Sequence, residues 1–164
     1  ASPDLFLNAT VLLSSAEYFM KENKMLESSK KINLENLKLL VSFWELIGAK
    51  RKIFPIEEHD YFLAFISHFP HLVAFSLGEI ISNSKFNECS QETYGGGLKD
   101  TTRIAASSPE LWASIFFDNK DYLIDLMDKW SLHWDFLRET LKNSDHEKLK
   151  SLLSNASDWR NGFK

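Results

Sequence analysis

Two patterns of apolar residues divide the chain near residue 56. Upstream, short apolar runs flank one helical period. Ala9-Thr10-Val11-Leu12-Leu13 is a brief run with β-branched members, the mark of a buried strand. Asn33 is placed to cap a helix, and Leu34, Leu37, Leu40, Val41, Trp44 and Ile47 recur behind it at helical spacing. Gly48 stands where a left-handed residue closes a helix. Lys52-Ile53-Phe54, followed by Pro55, reads as a second short strand. One β-α-β unit cannot cover both faces of a parallel sheet. This segment is therefore either a small α/β subdomain or, on the better reading, the tail of a larger sheet domain.

Downstream the pattern is helical throughout. Tyr61 to Ile81 is apolar almost all round, which predicts a helix buried on most sides, with Pro70 kinking it or removing one backbone hydrogen bond. Cys89 to Gly97 reads as a loop, and Asp100 as the cap of a short helix over Thr101 to Ala106. Ser108-Pro109-Glu110 opens the next helix, with Ser as cap and Pro at its first position. A long helix is predicted from about Asp121 to Lys142. Its apolar residues Leu123, Met127, Trp130, Trp134, Leu137 and Leu141 alternate steps of four and three, the period of a helix–helix seam. Ser144 with Glu147 forms a capping box for the last helix.

Composition narrows the function classes. Of 164 residues, 44% are hydrophobic and 26% charged, which is globular and not disordered. A net charge of -4 argues against a general nucleic-acid surface. No uninterrupted apolar run reaches the length of a span, so no membrane partner is expected. The single cysteine, Cys89, excludes an intrachain disulfide and a multi-cysteine zinc site, and fits a reducing compartment. The start, Ala1-Ser2-Pro3-Asp4, has no signal-peptide pattern and no initiator Met, so the sequence is expected to begin partway through a longer protein.

Candidate chemistry sits in two places. In Ser67-His68-Phe69-Pro70-His71, the hydroxyl of Ser67 and the imidazole of His71 are one helical turn apart and share a face, with His68 roughly a quarter turn away. They are either polar residues satisfied at the Pro70 kink or groups that meet a polar ligand, since unsatisfied burial costs ~1–3 kcal/mol. No Gly-x-Ser-x-Gly elbow surrounds Ser67, which argues against a hydrolase. The second place is Gly95-Gly96-Gly97-Leu98-Lys99-Asp100-Thr101-Thr102-Arg103. Three glycines permit close backbone approach or a sharp turn. Arg103 precedes Ile104-Ala105-Ala106, which reads as buried, so its guanidinium meets an anion: either Asp100 alone or a ligand carboxylate. The run is neither a dinucleotide fingerprint nor a Walker loop. His59 has no carboxylate at ligand spacing, and no metal site is expected.

Taken in order, His59-Asp60, Ser67-His68-Phe69-Pro70-His71-Leu72, Gly95 through Ala105, Ser108-Pro109-Glu110-Leu111-Trp112 and Asn119-Lys120 resemble prephenate dehydrogenases, the TyrA family. The resemblance covers residues 57 to 120 closely. It implies a mainly α chain: residues 1–56 as the end of an NAD(P)-binding Rossmann-like domain, and residues 57–164 as an all-helical dimerisation and substrate-binding domain. It implies NAD- or NADP-dependent oxidative decarboxylation of prephenate to 4-hydroxyphenylpyruvate in tyrosine biosynthesis, in the cytoplasm. Arogenate dehydrogenase and a non-catalytic, tyrosine-sensing helical module remain as alternatives. The family's catalytic histidine and glycine fingerprint would lie before Ala1, so this chain alone is expected to be inactive and to hold no nicotinamide. By family position, Arg103 meets a substrate carboxylate, and Ser67 and His71 line the pocket for prephenate, 4-hydroxyphenylpyruvate or tyrosine. Gly96 gives close backbone approach, Asp100 joins an ionic network with Arg103, and Trp112 forms an aromatic wall that can cross a homodimer interface. His68 receives no role.

Overall fold

The computed structural model describes residues 6–14, 34–54, 56–88 and 93–163. Asn33 and Cys89 lie outside them. The chain divides into two compact units, residues 1–67 and 68–164.

The first unit carries strand β1 (Thr10–Ser14), helix α1 (Leu34–Leu46), strand β2 (Lys50–Phe54) and helix α2 (Ile56–Leu63). The two strands pair in parallel, Thr10 opposite Lys50 through Ser14 opposite Phe54, as the β-α-β pattern predicts. Gly48 makes this return possible. At φ +83° it occupies the left-handed region, where an L-residue costs roughly 1–2 kcal/mol. A Cβ there would lie 2.7 Å from Leu7 Cδ1. The Gly48 carbonyl accepts from the Asn8 N–H at 2.8 Å, and the Lys50 N–H donates to Ala9 at 2.7 Å, so the turn locks the end of α1 to the start of β1. Trp44 meets Phe6 edge-on at 5.4 Å, but Leu39, Leu40, Phe43 and Leu46 of α1 remain exposed.

A π-helical stretch, Ala64–His68, follows α2 directly and leads into α3 (Phe69–Ser82). Pro70 has no N–H for the carbonyl four residues back, and the wider turn just before it is how the ladder adjusts. The helical run Glu58–Ser82, with a mean hydropathy of 1.3 over its most apolar window, is long and apolar enough to cross a membrane by length and composition, although polar residues interrupt it. It is also not buried on most sides: Tyr61, Phe65, Ile66 and Ile80 are exposed, and only 11% of that window is buried. The described residues do not supply the neighbours its composition calls for.

The second unit continues with α4 (Gly96–Thr102), a 3₁₀ turn (Arg103–Ala106), α5 (Pro109–Asp118), α6 (Lys120–Lys142) and α7 (His146–Asn161). Helix α3 packs on α4 and the 3₁₀ turn, α5 on α6, and α6 on α7. Two local expectations are corrected. Helix α4 begins inside the glycine run, with Gly95 extended at its head and Asp100 within it, so Asp100 is not a cap. The cap of α7 is Asp145, whose carboxylate accepts from the Lys148 N–H at 3.0 Å; Ser144 instead takes a left-handed turn at φ +52°. Carboxylates are strong caps, and the chain reverses one residue later than the Ser-x-x-Glu pattern suggests.

This unit has little core of its own. Its buried apolar residues, among those described, are Ala74, Leu123 and Leu126. Along the α6 seam Leu123 is buried, whereas Met127, Trp130, Trp134 and Leu141 are 40–62% exposed.

The Gly48 geometry generates a direct test. Gly48→Ala should lower the unfolding free energy by roughly 1–2 kcal/mol, from the φ requirement alone. Thermal and urea melts that superimpose on the native chain would contradict that reading.

Candidate substrate site

Helix α3 presents two clusters to the elements that follow it. The first lies near its start. His68 and His71, three residues apart on one face, both meet Trp112 of α5. The His71 ring stacks on the indole with centroids 3.6 Å apart and planes at 19°. His68 approaches the same indole edge-on at 6.2 Å and 76°. Trp112 leans on Phe116 at 5.5 Å, and Phe116 meets Phe75 at 6.4 Å. The Asn119 amide nitrogen lies 3.0 Å from His68 Nδ1.

The local sequence holds Trp112 in place. The Ser108 side chain accepts from the Leu111 N–H at 3.3 Å, and its hydroxyl donates to Glu110 at 2.9 Å. Pro109 occupies the first helical position, where a missing N–H costs nothing. The Glu110 carboxyl is held below its usual range by its own backbone N–H and then by the Ser108 hydroxyl.

The second cluster lies at the other end of α3, in an open cleft of about 440 Å³. Gly78, Ile81 and Ser82 of α3 form one wall; Leu98, Lys99 and Thr102 of α4, with Arg103, form the other. Tyr94 closes one side, with the Lys99 ammonium 5.9 Å from its ring centre. Arg103 is exposed, and no ion pair joins it to Asp100 or to any other described residue. The expectation that the residues after Arg103 are buried is also corrected: Ile104 and Ala105 are half-buried and Ala106 exposed. Gly78, Gly95, Gly96 and Gly97 have nothing within 4 Å of a built Cβ, and none has a positive φ. Glycine within a helix costs up to about 1 kcal/mol relative to alanine. Neither backbone strain nor a neighbouring atom among the described residues explains that composition, whereas an approaching ligand or second surface would.

The structure thus gathers some of the sequence-derived residues and separates others. His71 and Trp112 are in contact. Arg103 lines the cleft, while Gly96 and Asp100 lie on α4 outside its lining. Ser67 is half-buried and ends the first unit. Sequence reasoning missed Gly78 and gave no role to Lys99 or Asn119, although both lie in the motifs. Gly78 carried a usable signal, a glycine in the middle of an apolar helix. Among the described residues no three His, Cys, Asp or Glu side chains converge on a point that could hold a metal.

Fold and site together define a mainly helical domain with a cationic cleft on its central helix, preceded by a parallel β-α-β piece. The family described as "Prephenate dehydrogenase, dimerization domain" matches residues 55–155, and the chain belongs to that family. The prephenate dehydrogenase of Bacillus subtilis is 39% identical over 108 residues, which are 65% of this chain and 29% of that protein. The Aquifex aeolicus prephenate dehydrogenase, solved in complex with hydroxyphenyl propionate and NAD+, superposes with a TM-score of 0.74 at 31% identity, covering 84% of this chain and 48% of that one. Synechocystis arogenate dehydrogenase superposes with a TM-score of 0.76 at 26% identity, covering 98% of this chain and 54% of that one. The chain therefore spans less than a third of the Bacillus protein and about half of each solved chain.

Removing the Ser108 cap should cost about 1 kcal/mol. The associated Glu110 contribution is fully present above the unfolded carboxylate pKa and is lost as pH falls through the lowered folded value. Ser108→Ala should therefore lose stability at neutral pH and show a weaker loss on acidification than the native chain. Urea titrations at neutral and acidic pH with parallel stability losses in both chains would contradict this.

Proposed function

We propose that this chain is the dimerisation and substrate-binding part of a prephenate dehydrogenase, an enzyme of tyrosine biosynthesis that converts prephenate to 4-hydroxyphenylpyruvate. The observation that carries the reading is Arg103: a guanidinium without a carboxylate partner among the described residues, in a cleft lined by Gly78 and entered beside a glycine run. A planar guanidinium holds a carboxylate by two parallel hydrogen bonds, and Lys99 on the same cleft adds a second positive charge. Prephenate carries two carboxylates. Hydroxyphenyl propionate, the ligand of the Aquifex enzyme, joins a phenol to one, as the product does.

The other assignments follow the family positions. Ser67 and His71 face the substrate, Gly96 gives it close backbone approach, Asp100 tunes the charge around Arg103, and Trp112 supplies an aromatic surface. Residues 1–56 are the end of a nucleotide-binding domain, and residues 57–164 the helical domain. The reaction needs a nicotinamide acceptor, NAD or NADP. This sequence has no Gly-x-Gly-x-x-Gly turn to hold one, so none of its residues is assigned to that group. The helical domain pairs with a second copy through its exposed faces. The long apolar run Glu58–Ser82 packs against protein, because two imidazoles and a proline at its centre are poorly suited to lipid. The enzyme is cytoplasmic.

A second reading is specifically favoured by the Synechocystis neighbour: arogenate, the amino analogue of prephenate, as the substrate. Prephenate and arogenate both carry a ring and a side-chain carboxylate, so the assignment of Arg103 to a substrate carboxylate does not depend on the choice.

In the enzyme that joins this chain to its nucleotide-binding domain, Arg103→Ala should raise KM for prephenate or arogenate by roughly 30- to 1000-fold, the loss of about 2–4 kcal/mol from a charge-assisted pair. Nicotinamide binding should change little, and Lys should restore only part of the loss. Steady-state kinetics checks this. An unchanged KM in a well-folded Arg103→Ala enzyme would defeat the carboxylate assignment.

A further inference from the structure

We propose that the cleft between α3 and α4 is a two-cation site for a dicarboxylate: Arg103 and Lys99 each take one carboxylate of the same ligand, and Tyr94 is the positioning residue that holds the Lys99 ammonium over the cleft. The proposal rests on the reading that this cleft receives the substrate, and names the charge pattern it selects.

The helix makes the two cations neighbours. Lys99 lies in α4, and Arg103, four residues on, keeps helical backbone angles at φ −52° and ψ −40°. Residues four apart on a helix share a face, with Cβ atoms roughly 5–6 Å apart. Both line the cleft, and among the described residues no Asp or Glu lines it with them. Neither forms an ion pair with a described residue. Two like charges at this spacing repel. One carboxylate relieves one of them, and a ligand with two relieves both. The rest of the lining suits an organic body rather than a bare ion, because Gly78, Ile81, Leu98 and Ala106 are apolar. Prephenate and arogenate bear both carboxylates at one ring carbon, one directly and one through a short side chain. Their two charges therefore leave the same end of an apolar ring.

Tyr94 supplies what a lone exposed lysine lacks, a fixed direction. The Lys99 N–H donates to the Gly95 carbonyl at 3.2 Å, so the first turn of α4 brings Lys99 back beside the residue after Tyr94. Residues 95 to 97 are glycines, so no side chain of that turn stands between the ring and the ammonium, which lies 5.9 Å from the ring centre. A cation within about 6 Å of an aromatic face is attracted by the ring quadrupole. Holding the long lysine stem in place before the ligand arrives also lowers the ordering cost that otherwise subtracts from affinity.

Kinetics of the enzyme that joins this chain to its nucleotide-binding domain test the proposal. KM for prephenate or arogenate reads a dicarboxylate, and the inhibition constant of hydroxyphenyl propionate reads a monocarboxylate. Arg103→Ala and Lys99→Met should both raise KM, the latter about fivefold, as for one exposed charge pair. The inhibition constant should respond to no more than one of the two variants. The Lys99→Met effect should fade in high salt, since screening acts beyond roughly 3 Å at 1 M. Tyr94→Leu should raise KM about threefold by itself and add nothing to Lys99→Met, whereas Tyr94→Phe keeps the ring and should keep the native KM. A native KM in Lys99→Met, or an inhibition constant weakened equally by both cation variants, would overturn the two-cation site. A Tyr94→Leu effect that persists in full beside Lys99→Met would overturn the positioning role. If Arg103→Ala also leaves KM unchanged, the substrate reading of the cleft fails; if Arg103→Ala raises KM and Lys99→Met does not, only the second cation's role fails.

Discussion

The helical unit from His68 to Lys164 carries more apolar surface than it can bury by itself. Only three of its described apolar residues are buried, while Met127, Trp130, Trp134 and Leu141 line the open side of its longest helix. Burying apolar area contributes roughly 25 cal/mol per Å², so a face of this size left in water forfeits several kcal/mol. Large contiguous apolar patches on natural proteins mark interfaces. The matched family region is named a dimerization domain, and the reading proposed above puts a second copy of the chain on that face.

The site depends on the same constraint. Both clusters hang on α3, a helix too apolar for its exposure in one copy. Its N-terminal half contacts the aromatic residues of α5, and its C-terminal half forms a wall of the cleft with Arg103. The π-helical stretch before Pro70 changes the angular spacing of the residues around it, and His68 is its last residue. The glycines tell a related story. Gly48 is explained within the chain by its φ and by Leu7, whereas Gly78 and Gly95 to Gly97 face open space. Glycine where nothing among the described residues requires it is most simply explained by another surface or a ligand that comes close.

Much of the fold was legible in the sequence. The β-α-β order, the left-handed Gly48, the Ser108-Pro109 start and the extent of the long helix follow from local rules of capping and period, which depend on residues a few positions apart. The misreadings share a cause as well. Asp145 rather than Ser144 caps α7, and α4 runs back through Gly97 to Gly96, because the exact turn at which a chain reverses depends on competing local hydrogen bonds. The burial predicted for Tyr61 to Ile81 is absent because periodicity reports how apolar a helix is, not whether its neighbours come from the same copy. Of the candidate site, Arg103, His71 and Trp112 were singled out by motif. Lys99 and Asn119 lay within the same motifs but received no role, because their significance lies in contacts across the fold: a shared cleft in one case and a bond to His68 in the other.

Sedimentation equilibrium of the chain at micromolar concentration, beside a Trp130→Glu/Trp134→Glu double variant, tests the central claim most directly. A second copy covering the α6 face predicts twice the 19.0 kDa chain mass for the native protein and a folded monomer, or a markedly weaker dimer, for the variant. A native chain that stays at 19.0 kDa, or a double variant that pairs as tightly as the native protein, would contradict it.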